Sequence, residues 1–311
     1  MTQIASPTTG QKFTSNKTIA GILMMALGMF IFSAVDTQAK YLTATLNPIQ
    51  IVWVRQMGLL VCVVLWVIVK GRSTLHSHQP GLQVVRGVMA AGSATLFIVA
   101  IAYVPLVDAV AVSFIAPLVV TLLGALVLRE RVGIRRWAAV IIGFAATLVV
   151  IRPGLGVIHP AVSLVLLAAT LFAVRQVLSR VLGRTDSTLT TVAYTAVVGV
   201  AILTIPLPFV WRWPATGFEI AMLCSLALMA AAAEMCVIRA LELAQAVVVA
   251  PLQYTLLIWS TAYGFLIFGQ LPDLWTWVGA IIIVLTGAYT VRRDYLRSKH
   301  NHGEAGADQG G

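Results

Sequence analysis

Ten apolar stretches, each long enough to cross a bilayer, leave this chain few folds to adopt. Inside hydrocarbon no water pairs with backbone N–H and C=O groups, so a spanning segment must satisfy them itself. A run of about 20 apolar residues does this as an α-helix. The stretches predict spans over roughly 19–38, 48–69, 84–103, 109–128 and 135–151, then 161–182, 188–208, 218–238, 246–268 and 274–291. The break Arg152-Pro153-Gly154-Leu155-Gly156 separates the two sets of five. Composition agrees, with 59% hydrophobic and 10% charged residues and a mean hydropathy of +0.94. The expected fold is an all-α membrane protein of ten transmembrane helices.

The formal net charge of +10 is large enough to raise the question of nucleic acid. Its placement answers otherwise. With the N-terminus in the cytoplasm, sixteen of the 21 Lys and Arg fall on the inner side, against Lys40, Arg152 and Arg212 on the outer side and Arg55 and Arg175 within spans. That asymmetry orients the chain with both termini inside, and it assigns the basic charge to the lipid surface rather than to nucleic acid. Residues 1–17 and 294–311 read as polar cytoplasmic tails.

A weak internal repeat with an offset of about 140 residues joins Ala102–Trp137 to Glu242–Trp277. It lays Ser113-Phe114 on Gln253-Tyr254, Gly124 on Gly264, Glu130 on Gln270 and Trp137 on Trp277. The same offset lays Phe32 on Phe172 and Asp36 on Gln176. Five spans per half is an odd number, so the second half enters the bilayer in the opposite sense. The repeats, 19–152 and 161–293, are therefore expected to be inverted, an arrangement suited to alternating access around a site between them.

These residues resemble the EamA type of the drug/metabolite transporter superfamily. The resemblance runs over roughly 19–293 and is carried by Phe32-Ser33-Ala34-Val35-Asp36, Arg55, the stretch Ala102–Gly154 and the stretch Ala250–Tyr289. Within the superfamily the chain looks like riboflavin or S-adenosylmethionine uptake carriers. The run Pro251-Leu252-Gln253-Tyr254-Thr255 followed by Trp259 looks closest to the riboflavin ones. The chain departs from the pattern where the usual Leu-Gly-Glu reads Leu128-Arg129-Glu130, and again at its echo, Phe268-Gly269-Gln270. The resemblance implies that the first, third, fourth, sixth, eighth and ninth spans line a central cavity, with the fifth and tenth outside.

Polar groups within spans are costly in lipid, which makes each a candidate for substrate contact or gating. Asp36 shares a helix face with Phe32 and Ser33; it is either a cavity contact or an interfacial carboxylate paired with Lys40. Arg55 needs an acid, a carbonyl or an anionic ligand group; otherwise it is a structural pair with Asp36 or an outer-leaflet anchor. Gln176 and Arg175 lie deep in the sixth span, although Arg175 could snorkel inward beside Arg180. Glu234 is a proton carrier or the partner of an Arg. Ser113, Phe114, Gln253, Tyr254 and Trp259 offer rings and hydrogen-bonding groups suited to a flat heteroaromatic ligand, or are packing residues. Pro117 and Pro251 bend their helices.

Neither a P-loop nor the H-E-x-x-H or G-x-S-x-G hydrolase patterns occurs in the sequence. Cys62, Cys224, Cys236 and the five His make no metal-ligand spacing, so neither metal nor cofactor is expected. The pattern points to a secondary transporter of a small organic metabolite in the inner membrane, with riboflavin uptake first and an S-adenosylmethionine, amino-acid or drug carrier as the alternative. A membrane enzyme or channel subunit is the competing class. Monomer and homodimer both stay open.

Overall fold

A computed structural model describes residues 15–70, 76–126, 134–151, 159–183, 185–244, 246–282, 284–286 and 289. Every regular element among them is helical. The first half contains α1 (Ser15–Leu42), α2 (Pro48–Lys70), α3 (Pro80–Ile101), α4 (Leu106–Ser113), α5 (Ala116–Leu126) and α6 (Ile134–Ile151). The second contains α7 (Val162–Leu182), α8 (Thr188–Thr204), α9 (Leu207–Val210), α10 (Gly217–Leu243), α11 (Ala246–Val249), a 3-10 turn at Ala250–Tyr254 and α12 (Thr255–Phe268). A further apolar helix, α13, covers Leu274–Thr286. Among the described residues, six stretches are long and apolar enough to cross a membrane: Lys17–Leu42, Pro48–Ile68, Pro80–Ile101, Leu106–Gly124, Val162–Leu182 and Gly217–Leu243. The connection around Pro153 and the Leu128-Arg129-Glu130 end lie outside the described residues.

Local chemistry sets several helix ends. Pro80 starts α3, where its missing N–H costs nothing. The Ser187 hydroxyl accepts from Thr190 N–H at the head of α8. The Thr216 hydroxyl accepts from Glu219 N–H at the head of α10, and the Glu219 carboxylate accepts in return from Ala215 N–H at 2.7 Å. Several boundaries differ from the hydropathy reading, and two of them show the reason. The third helix begins at Pro80 rather than 84, and the eighth span runs on to Leu243 rather than 238. In both cases a polar turn continues a helix whose apolar run has already stopped or not yet begun.

The helices over the fourth and ninth apolar stretches are discontinuous. Pro117 has no N–H to continue the ladder, and α4 gives way to α5 across Phe114-Ile115. Pro251 does the same within the 3-10 turn between α11 and α12. Both breaks fall at repeat-related positions, Phe114 and Tyr254.

The packing is reciprocal. α1 lies along α10 while α7 lies along α3; α2 meets both α8 and α10 while α8 meets α3; α12 meets α1 while α5 meets α7. Exchanging the halves maps each of these pairings onto another, except α2 with α8, which maps onto itself. The most extensive contacts therefore join one half to the other. Close approach depends on small residues. A Cβ on Gly58 of α2 would lie 2.2 Å from the Ala227 carbonyl oxygen of α10, and one on Gly87 of α3 would lie 2.7 Å from Val198 of α8. The buried core, including Val35, Ile51, Ile98, Val110 and Leu226, fills the space between halves. Leu65, Ile68, Ile141 and Leu266 are exposed on the outside, as lipid-facing residues must be.

Candidate functional site

Asp36 and Arg55 come together near one end of the bundle. Asp36 is buried on α1, and Arg55 Nη1 on α2 donates to its Oδ1 at 3.5 Å. The same guanidinium lies over the Phe32 ring, 5.6 Å from its centroid. Of the alternatives left open by the sequence, the geometry selects the Arg55 pair over one with Lys40. Lys40 Nζ instead donates to the carbonyls of Ile101 and Val104, at 2.8 and 2.6 Å, where the third helix ends.

Arg175 has its own aromatic partner. Its guanidinium lies 4.5 Å from the centroid of Phe172, the residue that the repeat lays on Phe32. Arg175, Gln176 and Glu234 are all half-buried. Arg86 joins them from α3, donating from Nε to Ser179 Oγ at 2.6 Å and from Nη1 to Thr195 Oγ1. Arg86 lies within electrostatic reach of Arg175 and Glu234, and Arg175 within reach of Glu234 and Arg55. Arg86 is one of the sixteen charges counted on the inner side, at the edge of the span expected over 84–103; extension of α3 to Pro80 sets it more than a turn inside the helix.

The two helix breaks face each other. The Phe114 and Tyr254 rings stand 5.1 Å apart, tilted by 46°. The residues flanking them behave differently. Ser113 Oγ donates back to Val110 C=O at 2.7 Å, while Gln253 is exposed. Trp259 packs edge-on against Phe30 at 5.0 Å, beside the core of Met25, Met29 and Val249, with its Nε1 buried and unpaired.

Polar knots tie the halves at each end. At one, Asp186, between α7 and α8, accepts from Ser77 Oγ, from Gln83 Nε2 at 2.8 Å and from His78 N–H at 2.9 Å. Burial works against its charge, but these donors and the Thr185 hydroxyl outweigh it and hold the carboxyl at about 2. At the other end, Gln50 of α2 exchanges two hydrogen bonds with the Arg212 backbone, at 2.8 and 3.0 Å, in the connection between α9 and α10. Beside this second knot opens a cleft of about 620 Å³, lined by Lys40, Thr43, Thr45, Ala102, Phe218 and Phe268. No sequence signal marked Asp186 or Gln50, because their partners lie more than a hundred residues away.

The EamA-like transporter family matches the chain twice, over residues 19–152 and 159–292. An S-adenosylmethionine uptake transporter of Rickettsia felis is 26% identical over 284 residues, covering 91% of this chain and 96% of that protein. A riboflavin transporter of Vibrio cholerae is 28% identical over 286 residues, covering 90% and 96%. A pseudopaline exporter of Pseudomonas aeruginosa is 27% identical over 272 residues, covering 86% and 94%. A solved crystal structure superposes with a TM-score of 0.61 at 17% identity, over 90% of this chain and 98% of its own, which shows a shared fold. Two family matches spanning nearly the whole sequence, on a multi-pass bundle of apolar helices, identify the chain as a small-molecule transporter, not an enzyme, that belongs to the EamA-like transporter family.

Proposed function

We propose that the chain is a secondary carrier of the inner membrane with ten spans, the halves 19–152 and 161–293 inserted in opposite senses and both termini in the cytoplasm. Residues 1–17 and 294–311 are its cytoplasmic tails. The observation that carries this reading is the meeting of Phe114 and Tyr254, repeat-related residues at two helix breaks, 5.1 Å apart between the halves. Discontinuous helices meeting at a repeat interface are where carriers of inverted architecture bind their cargo. The knots at Asp186 and Gln50 join elements of the two halves at opposite ends of the bundle, so opening one while the other holds would expose that midpoint to one side at a time.

The cargo in this reading is a flat heteroaromatic metabolite. Phe114 and Tyr254 supply the rings, Asp36, Arg55, Gln176 and Glu234 the polar contacts, and Arg175 a cation within reach. Riboflavin and S-adenosylmethionine, the cargoes named for two relatives, both fit this description. The charged side chains favour the second, because a neutral flavin leaves them without a counterpart. The test is uptake of each labelled compound by proteoliposomes holding the purified chain. Saturable uptake with counterflow of at least one supports the carrier. Flux that rises without saturation would overturn it in favour of a channel.

A further inference from the structure

We infer that the transported molecule carries a carboxylate and that Arg175 receives it. The inference rests on the carrier reading above and narrows its cargo. Arg175 sits about 20 Å along α7 from Val162, well inside the membrane-length part of the helix. Its Nε is buried with no hydrogen-bond partner, although a buried N–H normally finds one.

The surrounding charges bear on this unpaired N–H. Arg175 lies within electrostatic reach of Arg55 and Glu234, and Arg86 within reach of Arg175 and Glu234. Arg55 holds Asp36 directly. Arg86 is held by two neutral hydroxyls, of Ser179 and Thr195, so among the described residues only Glu234 remains to offset both Arg86 and Arg175. The formal balance is one positive charge too many in a low-dielectric region. A buried charge without its counter-charge is expensive, and the deficit is one anion. A carboxylate supplies a single negative charge and two coplanar oxygens matched to the guanidinium fork. A doubly charged phosphate would overshoot the balance and be repelled by Asp36 and Glu234. The Phe172 ring packs against the Arg175 guanidinium, with 4.5 Å from its Cζ to the ring centroid.

The test compares acids with partners lacking only the charge. Wild type, Arg175→Lys and Arg175→Gln are purified in detergent. Binding is read by thermal shift with nicotinate against nicotinamide, and with S-adenosylmethionine against its decarboxylated form. At least one acid should stabilise the wild type, with its partner weaker by about 10- to 100-fold in affinity, the range of a charged hydrogen-bonding contact. That preference should be reduced in Arg175→Lys, which keeps the charge but not the fork, and lost in Arg175→Gln. The inference is overturned if no acid binds better than its partner, or if Arg175→Gln keeps the preference. Counterflow with the same acid separates the two claims. Acid-selective binding without counterflow refutes the carrier and leaves the carboxylate site standing. Counterflow of riboflavin unaffected by Arg175→Gln does the reverse.

Discussion

Removing one partner of the Asp36–Arg55 pair tests whether it is a coupled unit of the site. At 3.5 Å, two unit charges attract by about 5 kcal/mol at the effective dielectric of about 20 that suits protein sites. Desolvation of both groups offsets much of that, so the intact pair adds little net stability. Breaking it is different: Asp36→Asn strands the Arg55 charge, and Arg55→Gln strands the Asp36 charge. Stranding a buried ion costs about 3–5 kcal/mol. The side chains retain 22% exposure for Arg55 and 11% for Asp36, which places the expected cost at the lower end, about 3 kcal/mol each. The double variant leaves no orphan charge and should lose no more than either single change, giving a coupling energy of about 3 kcal/mol. The measurement is unfolding by SDS in mixed micelles for wild type, both singles and the double. Additivity within about 0.5 kcal/mol would show that the two groups do not sense each other, and would refute the pairing.

Three further outcomes follow from the geometry. Gly58→Val puts a side chain into the Ala227 backbone, with its Cβ 2.2 Å from the carbonyl oxygen, and should cost about 1–3 kcal/mol; Gly81→Val, where a Cβ meets nothing within 4 Å, should leave the melting temperature nearly unchanged. The Asp186 carboxyl is held at about 2, below the ordinary 3.8, so its stabilising contribution is complete above about pH 4 and is lost as pH falls through 2. Hydrogen exchange at the His78 amide, corrected for its intrinsic rate, should accelerate over that window in wild type and be insensitive to it in Asp186→Asn. Phe114→Ala or Tyr254→Ala removes one ring of the central pair and should raise the KM of the transported compound by about 2- to 12-fold, the worth of an aromatic contact, with little effect on the amount of folded protein.

Much of the bundle was legible because bilayer physics writes itself into sequence. The apolar runs mark helices, and a residue-by-residue offset laid Phe114 on Tyr254, which the fold then brings into contact. The candidates split by whether their partners could be named. Asp36 and Arg55 are nineteen positions apart on consecutive helices, so a pair was foreseeable. Arg86 was not, because hydropathy reads a charge at the end of an apolar run as the edge of the membrane. Its partners Ser179 and Thr195 are ordinary helix hydroxyls. Asp186 lies in a connection with no local signal. Its importance comes from donors about 105 residues earlier, which the intervening helices carry to it. Trp259, chosen as a possible ring for the ligand, packs on Phe30, and a sequence does not distinguish a ring that faces a cavity from one that fills the core.

The account stands on the two halves opening by turns around a shared midpoint. Spin labels report this directly when one pair spans the Asp186 end, at Gly81 and Thr188, and another spans the cleft end, at Ala44 and Gly217. In liposomes, adding a transported compound should lengthen one inter-label distance while shortening the other. Distances that lengthen together, or that stay fixed while transport proceeds, would contradict it.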